Sequence, residues 1–254
     1  MTEIHNSETR LHILKLTNAA VISTTLIITF GILIVAPSFV RPYGDQKLKI
    51  MLSVNIIDSA NVLVWCHDLA AYLRENGISA TIFFAGKVAE MFPESVRSFS
   101  SSVDIGSETY DYVDLASLGD SSLQLEEVDK GKFVVDNAGN LSSKVFRAPF
   151  GSTDGNIYSL LRTSGIVADF SYDNHYNVRS NNQFIKHSCS AYEGYEHSAD
   201  FFMSLPRTGQ PTILNFNNTL PISNLVELVS QLKANDVEFV NASQLTGLSL
   251  TGRR

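Results

Sequence analysis

The chain has 254 residues, of which 44% are hydrophobic and 18% are charged, so it can bury a sizeable core. Its formal net charge of −7 argues against a protein that binds nucleic acid by neutralising phosphates. Two cysteines, Cys66 and Cys189, exclude a disulfide-dense scaffold and a four-cysteine zinc site, and leave open whether the two thiols pair.

The N-terminal region predicts a membrane anchor. Residues 1–15 are a short polar tail, and residues 16–37 contain no charged side chain. A helix that crosses a bilayer needs about 20 apolar residues, and Pro37 would end it. We favour an uncleaved anchor over a cleavable signal peptide, because the apolar run is long and no A-x-A-like site follows it. A buried core helix would not need so long an uncharged run.

A linker at residues 38–47 follows the predicted anchor, with Pro42 and Gly44 as breakers. Basic residues flank the anchor on both sides, so charge alone does not determine its orientation. The acidic remainder, residues 48–254, is predicted to be one globular domain.

Strand and helix patterns alternate along this domain. Predicted strands cover residues 49–57, 79–86, 166–173, 211–217 and 237–242, with strand ends near 104–106 and a strand and turn at 143–151. Predicted helices cover residues 62–77, 87–99, 156–165 and 223–236. This alternation predicts an α/β fold in which helices cover a parallel sheet. Residues 188–198 lack periodicity and are interpreted as a loop over the mouth of a barrel, suited to partner contact.

Several segments, taken in order, resemble the polysaccharide deacetylase (NodB-homology) family, carbohydrate esterase family four. They are NIIDS (55–59), ATIFF (80–84), IGSETYDYVDL (105–115), FRAPFGS (146–152), TILNF (212–216) and EFVNASQL (238–245). The resemblance covers roughly residues 48–247. It implies a distorted (β/α) barrel with fewer strand–helix units than the regular eightfold barrel, and a site at the carboxyl ends of the strands.

The resemblance also implies a hydrolytic site whose chemistry is largely missing here. Ile57 stands where the family has its catalytic base, and isoleucine cannot accept a proton. Glu108 and Tyr112 stand in place of the two histidine metal ligands. Asn215 replaces the histidine that acts as general acid, and asparagine does not titrate. No histidine occurs between residues 100 and 120, so no shift of the alignment restores the metal triad.

Three motif positions keep a charged residue. Asp58 matches the family's metal-ligand aspartate, Arg147 matches the arginine that orients the catalytic carboxylate in relatives, and Asp173 ends an S-Y-D segment found in some members. Asp58 and Glu108 are weak candidates for a hard cation such as Ca²⁺ or Mg²⁺. An ordinary ion pair between Asp58 and Arg147 in a former active site is the favoured interpretation over metal binding.

Two functions of different classes are compatible with these residues. The favoured one is a catalytically inactive, single-pass membrane protein whose extracytoplasmic domain binds a cell-surface glycan or a membrane-protein partner at Asp58, Glu108, Tyr112, Arg147 and Asp173. It needs no cofactor. The alternative is an active carbohydrate N-deacetylase that uses a divalent metal and an atypical ligand set.

Overall fold

The computed structural model describes residues 47–207 and 209–253. The predicted tail, anchor and most of the linker, residues 1–46, lie outside the described residues. Within the part of the chain that the structure describes, no helix is long and apolar enough to cross a membrane.

The described residues alternate strands and helices over most of their length. The strands are β1 (Lys49–Ile56), β2 (Ala80–Phe84), β3 (Val103–Ser107), β4 (Leu141–Ser143), β5 (Val145–Phe146), β6 (Ala168–Asp169), β7 (His175–Ser180), β8 (Gln183–Ser188), β9 (Ser190–Glu193), β10 (Thr212–Asn217), β11 (Glu238–Val240) and β12 (Thr251–Arg253). The α-helices are α1 (Val62–Asn76), α2 (Gly86–Met91), α3 (Pro93–Arg97), α4 (Ser121–Gly139), α5 (Ile157–Thr163), α6 (Ala199–Ser204), α7 (Ile222–Ala234) and α8 (Ala242–Thr246).

One large sheet forms the wall of the fold. Its strand order is β8-β7-β6-β5-β3-β2-β1-β10-β9, and β11 pairs with the start of β1. The pairs from β9 through β6 are parallel, whereas β6, β7 and β8 are joined in antiparallel fashion. Strands of such a parallel sheet are buried on both faces, which explains the nearly continuous apolar run of β1.

The two faces of β1 serve different parts of the core. Ile50 and Leu52 belong to the cluster packed between the sheet and the helices, whereas Met51 belongs to a second cluster with Phe83 and Ile213 from the neighbouring strands. The alternation of side chains along a strand therefore puts Met51, and Ser53 two residues later, on the inner face of the sheet.

The sheet closes through two backbone hydrogen bonds rather than through a further pair of strands. Between the segment that follows β6 and the segment that leads into β9, the Cys189 amide donates to the Asn174 carbonyl at 3.1 Å and the Ala191 amide donates to the Asp173 carbonyl at 2.8 Å. The result is a nearly closed, barrel-like α/β fold. This agrees with the predicted distorted barrel, in which the carboxyl ends of the parallel strands open at one mouth.

Some predicted elements differ from the structure. The interpretation of residues 188–198 as a mouth loop is wrong, because they include β9, which pairs in parallel with β10. The predicted helix at 87–99 is two short helices that meet at Phe92 and Pro93, since proline starts a helix more readily than it continues one. Helix α4, with 19 residues, and the β7–β8 hairpin were not predicted.

Candidate functional site

The mouth of the barrel brings together three of the residues singled out from the sequence. Glu108 directly follows β3, Arg147 directly follows β5, and Asn215 lies in the carboxyl-terminal half of β10. All three side chains are buried. Because these strands run parallel in one wall, their carboxyl ends point to the same opening.

Arg147 is the centre of this group, with only 9% of its surface exposed. Its Nη1 donates to Ser53 Oγ on β1 at 3.0 Å and to Asn215 Oδ1 on β10. The backbone amide of Arg147 donates to the Ser107 carbonyl at 3.2 Å, which fixes where the side chain starts. The guanidinium therefore links β5 to β1 and β10, and its partners are neutral oxygen atoms.

Glu108 is fully buried beside this guanidinium, and neither of its carboxyl oxygens has a hydrogen-bond partner among the described residues. Burial raises the pKa of Glu108 well above its usual value, and the nearby Arg147 charge offsets only part of this effect. Buried Asn55 Oδ1 and Ser107 Oγ, near the ends of β1 and β3, also lack partners within the described ranges. This end of the barrel thus holds buried polar atoms that have no hydrogen-bond partner among the described residues.

Tyr112 and Phe150 form an aromatic pair at the rim. Their rings meet edge to face with centroids 5.3 Å apart. Both backbones are left-handed, with φ of 58° at Tyr112 and 60° at Phe150, which costs a non-glycine residue roughly 1–2 kcal/mol. Phe150 is 72% exposed, so burial of its own ring does not explain this conformation. Burial and the nearby Glu108 raise the pKa of Tyr112 to about 12.

The two loops that carry this pair are joined by polar contacts as well. The Ser152 hydroxyl donates to Asp114 Oδ1. The Gln124 amide of α4 donates to the Leu115 carbonyl at 2.8 Å and to Asp154 Oδ2 at 2.9 Å. The rim between β3 and β5 is therefore held in place before any ligand arrives.

The loop with Asp58 is organised differently from the prediction. Asn218, directly after β10, accepts from the Ile57 amide at 2.9 Å and donates to the Ile57 carbonyl at 2.9 Å and to Ser59 Oγ at 2.8 Å. This leaves Asp58 exposed. The predicted ion pair between Asp58 and Arg147 is absent from the ion pairs of the described residues, because Arg147 bonds to Ser53 and Asn215 instead.

Two carboxyl groups near Arg147 were missed from the sequence. Asp169, at the end of β6, is fully buried, accepts from the Ser171 hydroxyl and amide, and has its pKa raised to about 6 by burial. Glu193, at the end of β9, pairs in register with Asn215, and burial raises its pKa. The only feature of the sequence that could have identified Asp169 and Glu193 is that each ends a short strand, and the strand before Glu193, β9, was not predicted. The exposed Asp173 lies close enough to Glu193 to raise the Glu193 pKa further.

Two glycines, Gly86 and Gly131, allow the backbones next to the mouth to approach one another closely. A Cβ atom on Gly131 of α4 would come within 2.6 Å of the Glu108 carbonyl oxygen, and one on Gly86 of α2 would come within 2.7 Å of the Gly131 Cα. The Gly86 and Lys87 amides donate to the Thr109 and Tyr110 carbonyls at 3.1 and 2.9 Å. Backbone contacts of this closeness set the position of Glu108 relative to Arg147.

The residues at the former metal position do not fit a catalytic divalent metal. Glu108 and Tyr112 supply a carboxyl group and a phenol where the resemblance has two imidazoles, and imidazole is the ligand that suits metals such as Zn²⁺. Asp58, the retained ligand position, is exposed rather than buried beside them. In the described ranges, no group of three or more His, Cys, Asp or Glu side chains could hold a metal ion.

Other candidate groups lie away from the mouth or are explained by packing. A surface cleft of about 490 Å³ is lined mainly by α4, including Lys132, Phe133 and Asp136. Cys66 and Cys189 are free, buried thiols, and burial raises their pKa values to about 12 and about 11. These values make both thiols poor nucleophiles.

The comparisons with known proteins agree with this fold. Residues 49–168 match the family model of polysaccharide deacetylase. No curated protein matches the chain. Among solved structures, a Mycobacterium smegmatis protein named as a polysaccharide deacetylase superposes with a TM-score of 0.63 at 15% identity, over 81% of this chain and 93% of that one. The peptidoglycan deacetylase PdaC of Bacillus subtilis superposes with a TM-score of 0.58 at 16% identity, over 80% and 91%.

A third structure is BA3943 of Bacillus anthracis, described as a pseudoenzyme of carbohydrate esterase family four. It superposes with a TM-score of 0.57 at 13% identity, over 79% of this chain and 66% of that one. A mutant of BA3943 with restored enzymatic activity superposes with a TM-score of 0.58 at 14% identity, over 79% and 68%. At these identities the likenesses concern the fold.

Proposed function

The chain contains a divergent polysaccharide deacetylase domain of the NodB-homology type, carbohydrate esterase family four, and we propose that this domain binds a cell-surface glycan or a protein partner without hydrolysing it. The proposal includes the anchor at residues 16–37, which would hold the domain on the outer side of a membrane. Its support is the uncharged composition of that segment.

The observation that carries the proposal is the environment of Arg147. Amide hydrolysis in this fold needs a base, an acid and an activated water. Arg147 instead donates to the neutral Ser53 and Asn215, and the position of the base is an isoleucine, Ile57. Glu108 beside it is held toward its neutral form. The remaining groups can bind and orient a ligand, but Ile57 and Asn215, at the positions of the base and the acid, cannot exchange a proton.

The first prediction is that the full chain, purified in detergent, releases no acetate from acetylated chito-oligosaccharides when Zn²⁺, Co²⁺ or Mn²⁺ is added. The measurement is enzymatic detection of acetate, with metal content of the purified protein determined in parallel. Release that depends on metal and disappears in Asp58→Ala would establish the alternative, an active N-deacetylase with an atypical ligand set.

A gain-of-function variant provides the matched control. Ile57→Asp, Glu108→His, Tyr112→His and Asn215→His together restore the residue types of the family pattern. By the resemblance, Ile57→Asp would restore the carboxylate that the arginine at the position of Arg147 orients in relatives, and histidine is among the residues that tolerate the left-handed backbone of Tyr112. We expect this variant to release acetate with Zn²⁺ under conditions where the native chain does not. If the folded variant binds zinc and stays inactive, loss of these four residues is not what separates the domain from an enzyme.

A further inference from the structure

The charged side chains of the domain are segregated between its two ends. Exposed carboxylates lie at the mouth, on segments that follow strands: Asp58, Asp111, Asp120, Asp173 and Glu196. At the opposite end, where the parallel strands begin, six basic side chains take part in no ion pair of the described residues: Arg74, Lys144, Arg162, Arg179, Lys233 and Arg253. These six residues are called the amino-end surface below.

The backbone places the six residues at one end of the barrel. Three lie in the last turns of the helices that lead into the parallel strands β2, β6 and β11, and one directly precedes β5: Arg74, Arg162, Lys233 and Lys144. The Arg179 amide donates to the carbonyl of Val167, just before β6, at 2.7 Å. Arg253 Nη2 donates to the Phe99 and Ser100 carbonyls, before β3, at 2.9 and 2.7 Å.

Local stabilisation explains only part of this basic end. A basic side chain in the last turn of a helix complements the helix dipole, which accounts for three of the six residues. Lys144 lies between two strands and Arg179 lies within one, where no helix ends. Exposed Glu75 and buried Asp104 offset part of the positive charge. The rest is available to attract an anion from outside the chain.

The short linker brings a membrane to this same end. Lys47, two positions before β1, is separated from the predicted anchor at 16–37 by residues 38–46. Nine extended residues reach at most about 30 Å. A bilayer that holds the anchor would therefore lie within this distance of Lys47. Anionic headgroups attract each Lys or Arg close to their surface by about fivefold in affinity, and this attraction is screened by salt.

We propose that the amino-end surface docks on anionic lipid headgroups, so that the mouth of the barrel opens away from the bilayer. This inference rests on the proposed function, because it needs the anchor at residues 16–37. It adds the orientation of the domain and the class of lipid that the domain contacts. A second copy of the chain offers an acidic mouth as an alternative anion, but the same short linker would hold that copy by its amino end as well.

The test measures how close the amino end of the full chain lies to a bilayer. A donor dye on Gln183→Cys, next to the β7–β8 turn, is read against acceptor-labelled lipid in nanodiscs of phosphatidylcholine, with or without phosphatidylglycerol. Cys66 and Cys189 are buried and should not take the dye. We expect the ratio of docked to undocked chains, resolved by donor lifetime, to be at least about tenfold higher with phosphatidylglycerol and to collapse in high salt.

Two outcomes would contradict different claims. A donor lifetime that changes with neither lipid charge nor salt would overturn the docking inference and leave the anchor standing. Failure of the chain to enter the nanodiscs would instead contradict the anchor that the proposed function includes.

Two double variants of the labelled chain locate the docking surface. Arg74→Glu with Lys144→Glu reverses two exposed charges of the amino-end surface, so we expect the docked-to-undocked ratio to fall at least about tenfold. Lys87→Glu with Lys130→Glu makes the same change in net charge beside Tyr110, on the mouth side, and should leave the ratio unchanged. Circular dichroism checks that both variants fold. Equal effects of the two would show that net charge alone attracts the lipid, contrary to the proposal, and the lipid and salt dependence of the native sequence tests it even where a variant fails to fold.

Discussion

Replacing Arg147 by methionine is expected to lower the free energy of unfolding by about 3 kcal/mol at pH 7, because removing one member of a buried charged group leaves the others uncompensated. Ser53 and Asn215 lose the donor that they share. Glu108, Asp169 and Glu193 lose the positive charge that partly offsets their burial.

The free energy of unfolding lost in Arg147→Met should depend on pH. This dependence distinguishes an electrostatic role of Arg147 from a packing role. The pKa of Asp169 is raised to about 6, so this carboxyl group gains a proton as the pH falls toward 5, whereas Glu108 is already held toward its neutral form. Once these carboxyl groups are neutral, the Arg147 charge no longer stabilises them, and the free energy of unfolding lost in Arg147→Met should become smaller. A loss of equal size at pH 5 and pH 7 would mean that Arg147 acts through packing alone.

Denaturant unfolding followed by fluorescence of Trp65, the single tryptophan, can measure both values. Its ring is buried in α1, and its Nε1 donates to the Leu220 carbonyl at 3.0 Å, so the signal reports on the packing of α1 against the segment before α7. Arg97→Met is the matched control. Arg97 lies in an exposed i,i+3 ion pair with Glu94, and such pairs contribute at most about 1 kcal/mol.

Stability of the native chain should decrease as the pH rises from about 4.5, and Glu108→Gln should make this decrease shallower. The folded pKa of Glu108 is raised, so the folded state holds a proton that the unfolded state releases near pH 4.3. Such a group stabilises the fold fully below the unfolded pKa, and its contribution is lost as the pH rises toward the folded pKa. The slope is about 1.4 kcal/mol per pH unit for one proton.

The other carboxyl groups with shifted pKa values determine how much of the pH-dependent decrease in stability remains in Glu108→Gln. Asp104, Asp169 and Glu193 also have raised pKa values, so a residual decrease remains in Glu108→Gln. Asp114 and Asp154 have lowered pKa values and act in the opposite sense, at pH values below about 4.

The measurement is the free energy of unfolding at half-unit steps from pH 4.5 to 8. Glu75→Gln, at an exposed position of α1, controls for the loss of one carboxyl group and should follow the native curve. Because His175 has a lowered pKa and acts in the opposite sense, the difference between the native and Glu108→Gln curves is the measure of Glu108. A Glu108→Gln curve with the native slope would show that Glu108 is paired in solution, contrary to its environment here.

Much of the barrel could be predicted because its strands are short apolar runs bounded by turn residues. β1, β2 and β10 were found in this way, and α1 and α7 from their apolar spacing. Helix α4 was missed because its apolar positions are interrupted by Gly131 and by charged residues. The four-residue strand β9 was missed because its neighbours are aromatic and polar without alternation.

The site was only partly predictable for geometric reasons. The resemblance placed Glu108, Arg147 and Asn215 at the carboxyl ends of parallel strands, which is where the structure has them. The direction of Asp58 depends on hydrogen bonds from Asn218, which lies 160 residues later in the chain and belongs to no motif considered. The sequence does not indicate the left-handed backbones of Tyr112 and Phe150, because tyrosine and phenylalanine do not favour that conformation.

Behind the mouth, the backbones of Gly86, Gly131 and Glu108 pack directly against one another, with no side chain between them. Even the smallest side chain at Gly131 would press on the Glu108 carbonyl, so a change on the outer layer of helices would be transmitted directly to the lining of the cavity. Substitutions outside the opening can therefore move Glu108 without changing any residue that lines the opening. A comparison of natural variants confined to the residues around the opening would overlook that route.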